Sequence, residues 1–282
     1  MERYFLKVGK SQVHVTVWGH ERNPVIFCLH GLGSTSLSFI EVAEELEEEY
    51  RIISIDAPGH GKTMPFLLES SYEMPSMADW LDEVVRELGL ERFFFLSHSW
   101  GSFLALFYLA KHSEKVRGTI LLDGGYQTKR LSAMSLEDEL AYYENDFDGY
   151  QFNTWHDFFD SEKAAYKRWS SLLERAVKDL GKENEGRVSW HASGETAKNF
   201  IKAMHKNETE TIYSQLPPSI VLLRATLPVD QERVRKHTAE TFEVRANAKV
   251  EAVPSTTHML HWDKPEVVIE AIRSNWGKRL SK

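Results

Sequence analysis

The sequence predicts an α/β protein, a doubly wound and mostly parallel sheet that carries a helical lid. Three observations lead there. Short, continuous apolar runs recur along the chain, amphipathic helical patterns separate them, and the alternation is interrupted only once, over residues 126–215.

Taken in order, "YFLKV" and "VHVTVW" alternate polar and apolar residues as the arms of an antiparallel hairpin do, with Gly9 and Lys10 near its turn. The next runs are different. "VIFCL" (25–29), "RIISI" (51–55), "RFFFL" (92–96), "GTILL" (118–122) and "SIVLLRA" (219–225) are unbroken and rich in branched or aromatic residues, which suits strands covered on both faces. Between them "SFIEVAEELEEEY" reads as a helix whose acidic run faces solvent, and "SMADWLDEVVREL" as a helix opened by Ser76 and Asp79. Such alternation implies parallel strands joined by right-handed crossovers.

The interrupting stretch is helical in pattern, shows no strand, and is dense in aromatic residues from Tyr142 to Phe200. Inserted between two strands of one sheet, it is expected to cover the carboxyl edge, where open α/β folds bind ligands. Within it, "DLGKENEG" (179–186) reads as an exposed loop, and Pro217-Pro218 marks the return to the sheet. The expected organisation is a core of residues 1–125 and 216–282 with a lid of residues 126–215.

Composition narrows the classes. With 282 residues, 42% of them hydrophobic, and a net charge of −8, the chain suits an ordinary globular protein rather than a general nucleic-acid binder. No apolar run approaches the ~20 residues that span a bilayer. The first residues lack the continuous apolar segment of a signal peptide, so a cytoplasmic location is expected. The single cysteine, Cys28, permits no internal disulfide and reads as a buried apolar side chain.

The chemistry centres on Ser97-His98-Ser99-Trp100-Gly101, where an apolar strand stops and restarts at once as the apolar helix "SFLALFYLA". This is the context of a nucleophile elbow: Ser99 takes a strained backbone conformation, and residues two before and two after it must be small so that strand and helix can approach. Ser97 and Gly101 meet that need, although the first position is more often glycine. The turn aims the Trp100 N–H and the helix amino terminus at a developing oxyanion. His30-Gly31-Leu32-Gly33 follows another buried strand, and the Leu32 N–H is a candidate second donor. Gly61-Lys62-Thr63 ends like a phosphate loop, but the glycine needed five residues earlier is Asp56, so nucleotide binding is rejected in favour of a tight turn. His98, His112 and His258 lack metal-ligand spacing; neither a metal nor a cofactor is expected.

Jointly, "HGLGSTSLSF", "DAPGHGKT", "SHSWGSFLAL", "GTILLDGG" and "PSTTHMLHWDKPEVV" resemble the α/β-hydrolase fold superfamily in its lidded subgroup, over nearly the whole chain. The resemblance implies an eight-stranded sheet with the lid between strands 6 and 7. It also implies Ser99 as nucleophile and His258 as base, with His261 structural. Serine at position 99 sets the chain apart from the dehalogenases and epoxide hydrolases of this fold, which attack with aspartate. In most relatives the triad acid lies just after the strand that here reads "SIVLLRA", yet that loop has no carboxylate before Asp230. Asp123, at the end of "GTILL", stands where some relatives place theirs; it is taken as the acid, with Asp230 as the alternative. The implied activity is a carboxylesterase-like serine hydrolase acting on a small to medium apolar ester or lactone through an acyl-enzyme. A carbon–carbon bond hydrolase of the same fold, and a ligand-binding or signalling protein that retains it, are the alternatives.

Overall fold

The computed structural model describes residues 1–131 and 134–277. Among these the chain forms strands β1 (Glu2–Val8), β2 (Ser11–Trp18), β3 (Val25–Leu29), β4 (Arg51–Ile55), β5 (Phe93–His98), β6 (Val116–Leu122), β7 (Gln151–Phe152), β8 (Gly181–Asn184), β9 (Arg187–Trp190), β10 (Ile220–Ala225) and β11 (Lys249–Val253). Eight of them make one sheet in the order β1-β2-β4-β3-β5-β6-β10-β11, parallel throughout except at β1 and β2. The order reverses direction at β3, as a doubly wound sheet requires.

The apolar runs dictate both layers, because side chains along a strand alternate between faces. Phe27, Leu29, Ile53, Ile55, Phe93 and Phe95 pack on one face. Ile26, Cys28, Ile52, Phe94, Leu96 and Ile120 pack on the other. The helices in chain order are α1 (Ile40–Leu46), α2 (Met74–Glu87), α3 (Trp100–His112), α4 (Leu136–Gly149), α5 (Trp155–Ala165), α6 (Ser171–Leu180), α7 (Gly194–Lys206), α8 (Glu232–Arg245), α9 (Leu260–Asp263) and α10 (Pro265–Trp276). Helices α2, α3 and α8 cover the first face, and α1 and α10 the second. None is long and apolar enough to cross a membrane.

Local differences from the sequence reading have identifiable causes. Helix α2 starts at Met74 with Pro75 in its first turn, so Ser76 and Asp79 fall inside it and cap nothing. Proline fits there because the N–H it lacks would have no partner in the helix. Helix α1 ends at Leu46, leaving Glu48 and Glu49 exposed beyond it.

Residues 126–215 contain α4 to α7, and also β7, β9 and β8 in a three-stranded antiparallel sheet where no strand was expected. The stretch read as a loop holds the last residues of α6 and the first arm and turn of a hairpin: β8 and β9 are joined by Glu185 and Gly186, both at positive φ (50° and 76°). A two-residue turn of that kind matches the twist of its strands. Lys182, Glu183 and Asn184 are all exposed, so no apolar alternation marked the strand. Tyr150 stacks on Trp190, with ring centroids 4.1 Å apart, at the middle of the aromatic cluster. Phe158, Leu173, Val177 and Val188 merge with the layer that holds α1, while Phe200 and Ala203 merge with the opposite one.

Asp56 fixes the turn after β4, close to the site described below. Its Oδ1 accepts from the Ser36 N–H at 2.7 Å, and its Oδ2 from the Lys62 N–H at 2.9 Å and His14 Nδ1 at 2.8 Å. Gly61 passes so near that a Cβ there would lie 2.2 Å from Oδ2. Burial alone would raise the Asp56 pKa, but the hydrogen bond and charge of His14, the His30 ring and the Lys62 N–H outweigh it and hold the group below the ordinary carboxylate range. A depressed folded-state pKa stabilises the fold above the unfolded value of ~3.9, and that contribution is lost as pH falls below it. Asp56→Ala should therefore cost about 3–5 kcal/mol at pH 7 by urea unfolding. The stability gap between wild type and Asp56→Asn should close as pH drops below about 4.

Candidate active site

A single residue reverses the chain between β5 and α3. Ser99 has φ 52° and ψ −121°, a region that costs a non-glycine residue about 1–3 kcal/mol and persists only where its surroundings impose it. The Ser99 N–H donates to the Leu122 carbonyl at 3.0 Å, and its own carbonyl accepts from the N–H groups of Ser102 and Phe103. Neighbouring chain segments close on this turn. A Cβ on Gly101 would lie 2.4 Å from the His30 carbonyl oxygen, and one on Gly124 would lie 2.1 Å from that of Ser99. Ser97, at the position where glycine is more usual, is buried and donates its hydroxyl to Ser102 Oγ at 3.0 Å.

The structure brings Ser99, His258 and Asp123 together. His258 Nε2 lies 2.7 Å from Ser99 Oγ, and its Nδ1 lies 2.7 Å from Asp123 Oδ2. Asp123 follows β6 at φ 45°, its N–H bonded to the Leu223 carbonyl at 2.8 Å, and its side chain is wholly buried. Its Oδ1 accepts from the Ala225 N–H at 2.9 Å and the Tyr126 hydroxyl at 3.1 Å. Burial pushes the Asp123 pKa up, but the hydrogen bond and charge of His258, together with Arg235 and the Ala225 N–H, bring it below the ordinary value. An ionised carboxylate only accepts, so His258 Nδ1 carries the proton and Nε2 is free to accept from the Ser99 hydroxyl.

Asp230 is not part of this arrangement. It is exposed on the turn Val229–Gln231 at the edge of the cavity, while His258 Nδ1 is already occupied. The N–H groups of Thr226 and Leu227 both bond the Thr256 carbonyl, which fixes the loop before the chain turns at Pro228.

Buried imidazoles surround the site. His98 Nε2 donates to the His258 carbonyl at 2.9 Å, a contact that the sequence did not announce, and its ring lies 4.8 Å from that of His258. Burial, then the neighbouring His258, lowers the His98 pKa to about 3, so the ring is neutral. His261 is fully buried, bonds Ser38 Oγ at 2.9 Å and lies 4.5 Å from His98; burial holds it neutral too. On the other side His30 accepts from the Ala57 N–H at 3.0 Å and donates from Nδ1 to the Gly31 carbonyl at 2.7 Å. It thereby ties the loop bearing Leu32 to the end of β4. A Cβ on Gly31 would meet that of Ser99 at 2.9 Å, so this loop runs against the elbow. Trp100 opens α3, where its N–H has no acceptor within the helix and the helix dipole favours negative charge.

A cavity of about 600 Å³ opens over Ser99 and His258. Phe103 and Trp100 line its floor, Leu131, Met134 and Met204 reach it from the insertion, and Val234 and Arg235 from α8. Among the described residues, none of the insertion's aromatic side chains does so; they pack on one another and on the sheet layers instead. A groove of about 820 Å³ elsewhere, between α1 and α10, is rimmed by Glu41, Glu45, Glu266 and Glu270 and lies away from Ser99, His258 and Asp123.

Comparison with known proteins places this geometry in a family. Over 119 residues the chain is 31% identical to epoxide hydrolase 3 of Xenopus tropicalis, covering 42% of this chain and 32% of that protein. It is 32% identical over 118 residues to the serine hydrolase-like protein of Danio rerio, covering 42% and 36%. The chain thus spans about a third of the length of these two relatives. The sn-1-specific diacylglycerol lipase ABHD11 of Mus musculus matches over 270 residues at 23% identity, 89% of this chain and 80% of that one. Among solved structures, the thioesterase domain from the curacin biosynthetic pathway superposes with a TM-score of 0.77 at 20% identity, covering 96% and 99% of the two chains. E-2-(acetamidomethylene)succinate hydrolase gives 0.78 at 17%, covering 97% and 98%, and both likenesses are of fold alone. The family model for the alpha/beta hydrolase fold matches residues 24–265, and the chain belongs to that family.

Proposed function

We propose that the chain is a serine hydrolase that cleaves a small to medium apolar carboxylic ester or lactone through an acyl-enzyme on Ser99. The observation that carries this reading is the unbroken line of hydrogen bonds from Ser99 Oγ through the His258 ring to the buried Asp123 carboxylate, 2.7 Å at each step. Ser99 Oγ attacks the carbonyl carbon as His258 Nε2 takes its proton. Asp123 holds the ring in the required tautomer and offsets the imidazolium charge. The N–H groups of Trp100 and Leu32 receive the oxyanion. His258 then returns its proton to the leaving oxygen, and water repeats the sequence on the acyl-enzyme. Serine at the apex supports acyl transfer over the aspartate chemistry that the resemblance assigns to epoxide hydrolases of this fold.

The substrate class follows from the walls. Phe103, Met204 and Val234 offer apolar surface beside the nucleophile, and 600 Å³ lies within the range of small-molecule sites. Residues 126–215 act as the lid, since Leu131, Met134 and Met204 form the wall facing the elbow. Flexible methionine and leucine side chains adapt to the acyl group better than a rigid aromatic wall.

Two predictions separate the parts of this proposal. Measured on p-nitrophenyl acetate, Asp123→Asn should lower kcat by about 10⁴-fold, as loss of a triad carboxylate does, and Asp230→Asn by less than about tenfold. The reverse ranking in folded variants would move the acid to Asp230. Met204→Trp narrows the wall contributed by the insertion, so kcat/KM for p-nitrophenyl octanoate should fall about tenfold relative to the acetate. An unchanged ratio across a panel of esters, lactones and diketones would remove the insertion from the substrate site.

A further inference from the structure

Arg235 lies outside the trio of Ser99, His258 and Asp123, yet its guanidinium touches the acid and the loop beyond β10. Nη1 donates to the Leu227 carbonyl at 2.8 Å and lies 3.6 Å from Asp123 Oδ2, the same oxygen that His258 Nδ1 meets. The side chain is only 10% exposed, and its Nε is buried without a hydrogen-bond partner. A cation so placed needs a countercharge. Glu232, at the start of the same helix, is taken by Arg224 through two bonds of 2.8 and 2.9 Å. Asp123 is the carboxylate in contact with Arg235.

We infer that Arg235 is a positioning residue of the hydrolytic site, which keeps the buried Asp123 carboxylate ionised and fixes Oδ2 toward His258. The inference rests on the serine-hydrolase reading. The groups facing Asp123 come from four segments: the Ala225 N–H at the end of β10, His258 from the loop after β11, Tyr126 from the loop after β6, and Arg235 from α8. Arg224 and His98 stand further off, the first paired and the second neutral. Of the facing groups among the described residues, only Arg235 carries a permanent charge. Tyr126 and Ala225 donate as dipoles, and His258 becomes cationic in the reaction itself. The loop at Leu227 is the one in which most relatives of this fold keep their acid. Here it gives Arg235 a carbonyl, so a single side chain links that loop to the carboxylate on β6.

Removing the charge has a defined sign. Burial then opposes ionisation of Asp123 with less resistance, and the carboxyl takes up a proton at higher pH. An Asp123 carboxyl that protonates at higher pH moves the acid limb of kcat/KM upward. A purely structural role would not.

The test is kcat/KM for p-nitrophenyl acetate between pH 5 and 9 for wild type, Arg235→Met and Arg235→Lys, each also with Asp123→Asn, alongside thermal unfolding. Arg235→Met should lower kcat/KM about tenfold at pH 8, with most of the loss in kcat, and move the acid limb up by about one unit. Arg235→Lys should return the limb toward its wild-type position without the full rate, since lysine supplies charge but not the planar fork. With Asp123→Asn in place, Arg235→Met should change activity by less than about twofold, as expected for two residues acting as a unit. An unmoved limb, or the same loss with and without Asp123, would overturn the inference while leaving the serine hydrolase intact. If Asp123→Asn alone has no effect, the inference falls together with the triad. Should Arg235→Met fail to fold, Arg235→Gln removes the charge while keeping a donor for the Leu227 carbonyl, and the same outcomes apply.

Discussion

The backbone of Ser99, held at φ 52° between β5 and α3, is the constraint around which the rest of the site is arranged. A one-residue reversal brings the end of a strand and the start of a helix within contact distance. The surrounding backbone then has room only for glycine at positions 101 and 124. The strain is maintained by the Leu122 carbonyl on one side and the first turn of α3 on the other. These contacts depend on the parallel register of β5 against β6, which also carries Asp123 to the level of the elbow. The register of β10 on β6 in turn supplies the Ala225 N–H that fixes the carboxylate. A hydroxyl, an imidazole and a carboxylate from distant parts of the sequence thus meet because parallel strands end at a common edge.

The electrostatics follow from burial. His30, His60, His98 and His261 are all desolvated, and burial drives each toward the neutral form. Neutral rings serve as donors and acceptors with fixed tautomers: His30 links the ends of β3 and β4, and His98 holds the backbone of His258. None of these four rings lines the cavity among the described residues, whereas His258 does. A ring that can gain a proton there, backed by an ionised carboxylate, has the arrangement general base catalysis requires.

Much of the sheet was legible because a strand buried on both faces leaves a continuous apolar run, and the elbow was legible because its steric demands fall on residues adjacent in sequence. Ser97, Ser99 and Gly101 carry that signal by spacing alone. What escaped notice depends on contacts between remote segments. The exposed strand Gly181–Asn184 pairs with Arg187–Trp190 through backbone hydrogen bonds that leave no apolar pattern. Met204 lines the cavity only because α7 crosses the elbow, whereas the conspicuous aromatic residues of the insertion are spent on packing. Arg235 looks like one more surface cation on a polar helix until its contact with Asp123, beyond the end of β6, is seen. Asp123 is intermediate: its position at a strand end made it a candidate, but its 2.7 Å contact with His258 is visible only in the fold.

The central claim is that Ser99 is a nucleophile activated by His258. Its most direct test is the intact mass of the protein after exposure to a fluorophosphonate at pH 8, followed by peptide mapping. The account predicts one adduct per chain, located on Ser99, absent from Ser99→Ala and formed far more slowly in His258→Ala. A wild-type protein that stays unlabelled, or an adduct that persists in Ser99→Ala, would contradict it.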